Sequence, residues 1–209
     1  MFLFEGPSDA PASLLLAHGA GAAMDSAFMN AAVEAFAQAG LHVARFEFGY
    51  MRAQRDRGRR PPPRAEALVP EYRDAIDALA ARQPLVIGGK SLGGRVASLL
   101  ADEEFSGGRA AGLLCLGYPF HPVGKPDRLR TAHLAGLATP TLICQGTRDP
   151  LGSREEVEGY ALSDRIELLW LEDGDHDLKP RKRTTGLTQA DHLAIIAERT
   201  AQWVAGLVR

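Results

Sequence analysis

Ten residues constrain the fold more than any others: Leu85-Val86-Ile87-Gly88-Gly89-Lys90-Ser91-Leu92-Gly93-Gly94. An apolar run stops at glycines, presents one serine, and resumes with Val96, Leu99 and Leu100 at helical spacing. A strand that turns at once into a helix brings the two elements close, so the residues two either side of the turn must be small. Gly89 and Gly93 meet that need in the pattern G-x-S-x-G. A serine in such a turn projects its hydroxyl above the sheet, at a helix N-terminus whose free N–H groups favour negative charge. The same letters end like a phosphate-binding loop, G-x-x-x-x-G-K-[ST]. That pattern needs glycine where Pro84 stands, and Leu85 to Ile87 leaves no room for a phosphate cradle.

The rest of the chain repeats the alternation. Leu14 to His18 is an apolar run that stops at Gly19, and Ser26 to Ala39 carries Phe28, Ala32, Val33 and Phe36 at helical spacing before Gly40. His42 to Phe48 reads as the next strand, Met51 to Arg64 as an Arg- and Pro-rich loop, and Leu68, Tyr72, Ile76 and Leu79 as a helix with Pro70 in its first turn. Ala111–Leu116, Thr141–Gln145 and Ile166–Leu171 read as further buried strands, and Thr188 opens a last helix with Leu193, Ile196, Ala197, Thr200 and Leu207 on one side. His121 to Ala138 has room for a short helix or lid but not for a large cap. Strands that are apolar throughout need helices on both faces, which predicts a doubly wound, mainly parallel α/β sheet. At 209 residues the chain suits one domain over 1–209. In such folds the site lies at the carboxyl ends of the strands.

A serine nucleophile needs a base, and the base an orienting acid. Asp149, in Gln145-Gly146-Thr147-Arg148-Asp149-Pro150, follows one predicted strand, and His176, in Gly174-Asp175-His176-Asp177, follows the next. Ser91, Asp149 and His176 therefore come in the chain order that elbow hydrolases use. Taken alone, Asp149 before Pro150 also reads as an Asx-turn residue, and His176 among aspartates as a solvated loop histidine. His18 more naturally shapes the turn after the first apolar strand, and His133 and His192 read as helical or surface residues. His121 reads as a pocket residue and the competing base. An oxyanion needs two donors: the Leu92 N–H, directly after the serine, and the Ala20 N–H in His18-Gly19-Ala20-Gly21-Ala22, where glycines let backbone approach substrate.

These segments together resemble the α/β-hydrolase superfamily. With Phe46-Glu47-Phe48-Gly49-Tyr50-Met51, Arg59-Arg60-Pro61-Pro62-Pro63 and Gly117-Tyr118-Pro119-Phe120-His121-Pro122, the chain resembles a small, capless branch near dienelactone hydrolase. That branch includes bacterial predicted hydrolases and the hydrolase-like subunit of a eukaryotic chromatin acetyltransferase complex. The resemblance covers nearly the whole chain and implies a Ser-His-Asp hydrolase at Ser91, His176 and Asp149. Dienelactone hydrolases proper carry cysteine at the elbow, where this chain has serine. The expected reaction is cleavage of a carboxylic ester, thioester or related acyl bond through an acyl-enzyme, with no metal and no cofactor. The alternative is an idle hydrolase fold that binds a partner through its basic surface.

Arg52, Arg55, Arg57, Arg59, Arg60 and Arg64 crowd into thirteen residues, and Lys179, Arg181, Lys182 and Arg183 follow His176. Either these are solvated, or Arg59 and Arg60 rim the pocket and draw an anionic acyl substrate or a polyanionic leaving group. Gly19, Tyr118 and His121 are the other expected substrate contacts, for a small-molecule acyl substrate. A net charge of −2 argues against nucleic acid as partner. The two cysteines, Cys115 and Cys144, sit in apolar runs and read as buried thiols. With no signal-like or membrane-spanning stretch, the expected location is cytoplasmic; no pattern sets an oligomeric state.

Overall fold

Apolar runs that bury both faces dictate the architecture. The structure is a computed structural model that describes residues 1–58 and 61–208. Its strands are β1 (Leu3–Glu5), β2 (Ser13–Ala17), β3 (His42–Phe46), β4 (Leu85–Lys90), β5 (Gly112–Leu116), β6 (Thr141–Gly146) and β7 (Ile166–Leu171). They form one sheet in the order β1-β3-β2-β4-β5-β6-β7. All neighbours are parallel except β1 and β3. The helices are α1 (Ala27–Gln38), α2 (Gly49–Arg57), α3 (Ala65–Leu79), α4 (Leu92–Ser106), α5 (Arg154–Val157), α6 (Lys182–Thr185) and α7 (Gln189–Leu207). Among the described residues no helix is long and apolar enough to cross a membrane.

Successive strand residues point to opposite faces, and both faces are covered. Leu14, Leu16, Val43, Val86 and Leu114 pack with Val33 and Phe36 of α1 and Leu193 and Ile196 of α7. Leu15, Ala44, Ile87, Leu113 and Cys115 pack with Leu68, Tyr72 and Ile76 of α3 and Val96 and Leu100 of α4. Each fully buried aliphatic side chain contributes roughly 1.5–3 kcal/mol. Cys115 and Cys144 are buried and unpaired. Strand order reverses between β2 and β4, so their carboxyl ends open a crevice between the loop after β2 and the turn after β4.

Several boundaries differ from the sequence reading. Within the expected loop from Met51 to Arg64, residues up to Arg57 belong to helix α2, which ends where Gly58 turns to φ 78°. Only Met51 of that helix is fully buried among its described side chains, so it leaves no apolar period to read. α3 starts at Ala65, which puts Pro70 in the second turn rather than the first. β7 is half-buried, with only Leu171 fully covered, because it is the edge of the sheet. β3 ends at Phe46, and Phe48 instead begins α2 as its N-cap. α7 opens as read, with a capping box between Thr188 and Asp191.

Candidate active site

Ser91 sits between β4 and α4 at φ 49°, ψ −111°, a conformation disfavoured for a residue with a Cβ. Main-chain packing enforces it. A Cβ on Gly89 would lie 2.3 Å from the Ala17 carbonyl oxygen, and one on Gly93 would lie 2.4 Å from the same oxygen. The Ser91 N–H donates to the Leu116 carbonyl at 3.0 Å, which ties the turn to β5. Leu92 is the first residue of α4, so its N–H has no acceptor within the helix.

Three side chains from three strand ends meet here. His176 Nε2 lies 2.8 Å from Ser91 Oγ, and His176 Nδ1 lies 2.8 Å from Asp149 Oδ2. Asp149 is fully buried, and both its oxygens are bonded: Oδ1 accepts the Leu151 N–H at 2.8 Å, and Oδ2 accepts from Gln145 Nε2 at 2.9 Å and lies 2.8 Å from His176 Nδ1. Oδ1 thus closes the expected Asx turn, while Oδ2 faces His176. Gln145 closes the frame: its Oε1 accepts the Tyr118 N–H at 2.7 Å, and its Nε2 also reaches the Gly152 carbonyl at 3.0 Å.

The loop after β2 forms the facing wall. His18 is buried; its Nδ1 lies 2.7 Å from the Gly19 carbonyl, and its Nε2 accepts the Phe48 N–H at 3.1 Å. These partners specify the neutral Nδ1–H tautomer, and burial pushes the imidazole below its ordinary pKa. The Tyr50 hydroxyl lies 3.4 and 3.2 Å from the carbonyls of Gly19 and Ala20. Both carbonyls are thereby held, while Gly19, Ala20 and Leu92 border the same cavity as Ser91 and His176. That cavity has a volume of about 620 Å³.

Two expected pocket residues lie elsewhere. Neither Tyr118 nor His121 borders the cavity; both are buried. Gly117 turns the chain at φ 66°, and Tyr118 then sends its hydroxyl to the Arg130 carbonyl at 3.0 Å, while Pro119 takes the cavity wall. His121 points at the Pro122 carbonyl and lies 3.4 Å from Glu156, away from the serine's partners. His192 is buried on α7, with Nδ1 2.8 Å from the Leu178 carbonyl. Arg59 and Arg60 lie outside the described residues.

Sequence reading missed three cationic side chains of the cavity. Lys90, which the sequence marks only through its likeness to a phosphate loop, donates from Nζ to the His176 carbonyl at 2.8 Å, lies 3.4 Å from Asp177 and sits over the Phe28 ring. Burial pushes its ammonium below the ordinary value, against the pull of Asp177. Arg95, one helical turn beyond Ser91, and Arg130 also line the cavity. Spacing alone signalled Arg95; no local signal marked Arg130.

With this geometry in view, comparison with known proteins assigns the chain to a family. Residues 10–205 match the family described as the alpha/beta hydrolase domain. No curated protein sequence matches. Solved structures share the fold at low identity. A dienelactone hydrolase from Anabaena variabilis superposes with a TM-score of 0.73 at 20% identity, covering 98% of this chain and 90% of that one. An alpha-beta serine hydrolase homologue from Coxiella burnetii gives 0.71 at 16%, covering 95% and 90%. Est1E from Butyrivibrio proteoclasticus with ferulic acid bound gives 0.70 at 14%, covering 100% and 95%. The family match spans strands β2 to β7, the elbow and all three strand-end side chains, and the chain therefore belongs to the α/β-hydrolase domain family.

Proposed function

We propose that this protein is a serine hydrolase that cleaves small carboxylic esters, thioesters or related acyl bonds. One observation carries the reading: an unbroken line of contacts from Ser91 Oγ through His176 to the buried Asp149, each link 2.8 Å, with the serine held in a strained turn. In the proposed reaction His176 Nε2 takes the Ser91 proton as Oγ attacks the substrate carbonyl. The Leu92 and Ala20 N–H groups hold the oxyanion of the tetrahedral intermediate. Asp149 keeps the proton on Nδ1 and stabilises the imidazolium. His176 then returns its proton to the leaving group, and water activated by the same nitrogen releases the acid from the acyl-enzyme. Family membership supports hydrolysis, and a fold neighbour that binds ferulic acid supports a small acyl substrate.

Labelling with a serine-directed fluorophosphonate, mapped by peptide mass, tests the reading. The wild type labels at Ser91, Ser91→Ala does not label, and His176→Ala labels on the order of 10³-fold more slowly or less. A folded protein that stays unlabelled overturns the assignment in favour of an idle, partner-binding fold, and one that labels at another serine overturns Ser91 as the nucleophile.

A further inference from the structure

The cavity is electrically one-sided. Among the described residues its lining holds four cationic side chains, Arg64, Lys90, Arg95 and Arg130, against one carboxylate, Asp177. Lys90 and Asp177 account for each other, and Arg64 is an exposed residue at the start of α3. The remaining pair is different in kind.

Arg95 follows Ser91 by one turn of α4, with its N–H donating to the Ser91 carbonyl at 3.0 Å. That spacing is about 6 Å along the helix axis, and helical side chains lean towards the N-terminus, here towards Ser91. Its side chain is 17% exposed, one Nη meets Glu66 at 2.7 Å, and its Nε is buried without a partner among the described residues. Arg130 uses its backbone in the fold: its N–H donates to the Phe120 carbonyl, and its carbonyl accepts from Tyr118. Its guanidinium makes no hydrogen bond or ion pair among the described residues, although it borders the cavity. Burial and the nearby Arg95 both press the Arg130 pKa below its ordinary value. Glu66, 58% exposed and already hydrogen-bonded to Arg95, is the one described carboxylate bonded to the pair.

Two neighbouring guanidinium groups with one solvated counter-charge are unfavourable together unless an anion joins them. Planar guanidinium forks suit the oxygens of a carboxylate or phosphate. We infer that Arg95 and Arg130 form an anion subsite, and that the substrate carries a carboxylate or other compact anionic group a few bonds from its scissile carbonyl. The inference rests on the hydrolase reading for its reaction, but the subsite can be read without turnover. Proximity to Ser91 favours an anion close to the acyl carbon over charge at the far end of a long leaving group.

Two matched ester pairs test this. One pair places the anion on the acyl side, an aryl monoester of glutarate against the same aryl ester of pentanoate. The other places it on the alcohol side, the butyrate ester of 3-hydroxybenzoate against phenyl butyrate. The wild type prefers the anionic member of at least one pair by kcat/KM. Arg130→Gln and Arg95→Gln each lower that anionic-to-neutral ratio by about 10- to 100-fold, the range of a hydrogen bond to a charged group. The pair that shows the preference locates the anion. No preference in either pair, or a ratio that both substitutions leave unmoved, overturns the subsite. If no ester is cleaved and fluorophosphonate leaves Ser91 unlabelled, the hydrolase reading fails by itself. Calorimetric titration of Ser91→Ala with glutarate and with inorganic phosphate then decides the subsite separately: binding that Arg130→Gln abolishes sustains it, and no binding of either anion overturns it.

Discussion

The turn that presents Ser91 and the loop that presents His176 are held in place by different physics. At the elbow the constraint is main-chain contact. Gly89 and Gly93 both press against the Ala17 carbonyl, and no neighbouring side chain is needed to hold the serine at φ 49°. The histidine loop leaves a half-buried edge strand and is pinned by polar side chains instead. The Asp173 N–H donates to Thr147 Oγ1 at 2.8 Å, Arg148 Nε donates to the Asp173 carbonyl at 2.7 Å, and Arg181 clasps the Asp173 carboxylate. Asp175 Oδ1 gathers the N–H groups of Asp177 and Lys179, and Lys90 reaches up to the His176 carbonyl. Close-packed backbone fails all at once when one atom is added, whereas a network of hydrogen bonds gives way by degrees.

The sharpest break in that comparison is Gly93→Ala. Its methyl group meets the Ala17 carbonyl at 2.4 Å with no flexible neighbour to yield. We expect a loss of about 3 kcal/mol, seen as a fall of roughly 10 °C in Tm by calorimetry. A variant as stable as wild type would show that the elbow has slack the packing does not reveal.

Lys90→Met tests the tie that the lysine makes between the two regions. Methionine keeps the stem against Phe28 and removes the bond to the His176 carbonyl. The expected result is a fall of about tenfold in kcat on a neutral ester, with KM changed less than kcat, because His176, the proposed base, is displaced rather than the pocket. An unchanged kcat would mean that the Asp173 network holds His176 without the lysine.

The smallest effect is expected from Asp173→Asn. Hydrogen bonds from Arg181 hold the Asp173 carboxyl at about 2, below its ordinary 3.8. A depressed carboxyl contributes stability above its unfolded pKa and loses it as pH falls through the folded one. Thermal melts should therefore show a modest deficit for Asp173→Asn at pH 7 that closes between pH 4 and pH 2. A deficit independent of pH would assign the effect to shape rather than charge.

The same contrast explains what could be read from the chain alone. The elbow was legible because its requirements are local: apolar β4, two glycines, one serine and a helical period, all within consecutive residues. The order Ser91, Asp149, His176 was legible because each side chain closely follows an apolar run, and parallel strands bring such positions to one edge. Helix α2 escaped because, among its described side chains, only Met51 is fully buried, and periodicity is visible only where burial repeats. Tyr118 and His121 were placed on the right edge but in the wrong direction. The turn at Gly117 rotates Tyr118 into the core beside Phe120 and leaves Pro119 facing the cavity.

The sequence by itself determined the layered sheet, the elbow and the chain order of the three strand-end side chains. Repetition of apolar residues and the steric need for glycine act between near neighbours, so they are written in consecutive letters. Only the tertiary structure decided where side chains point after a turn and which charges end up together. Lys90 meets a carbonyl 86 residues away. Arg130 borders the cavity beside Arg95, 35 positions earlier in the chain. Such contacts depend on how helices and loops pack across the strand ends, and no spacing in the sequence records that distance.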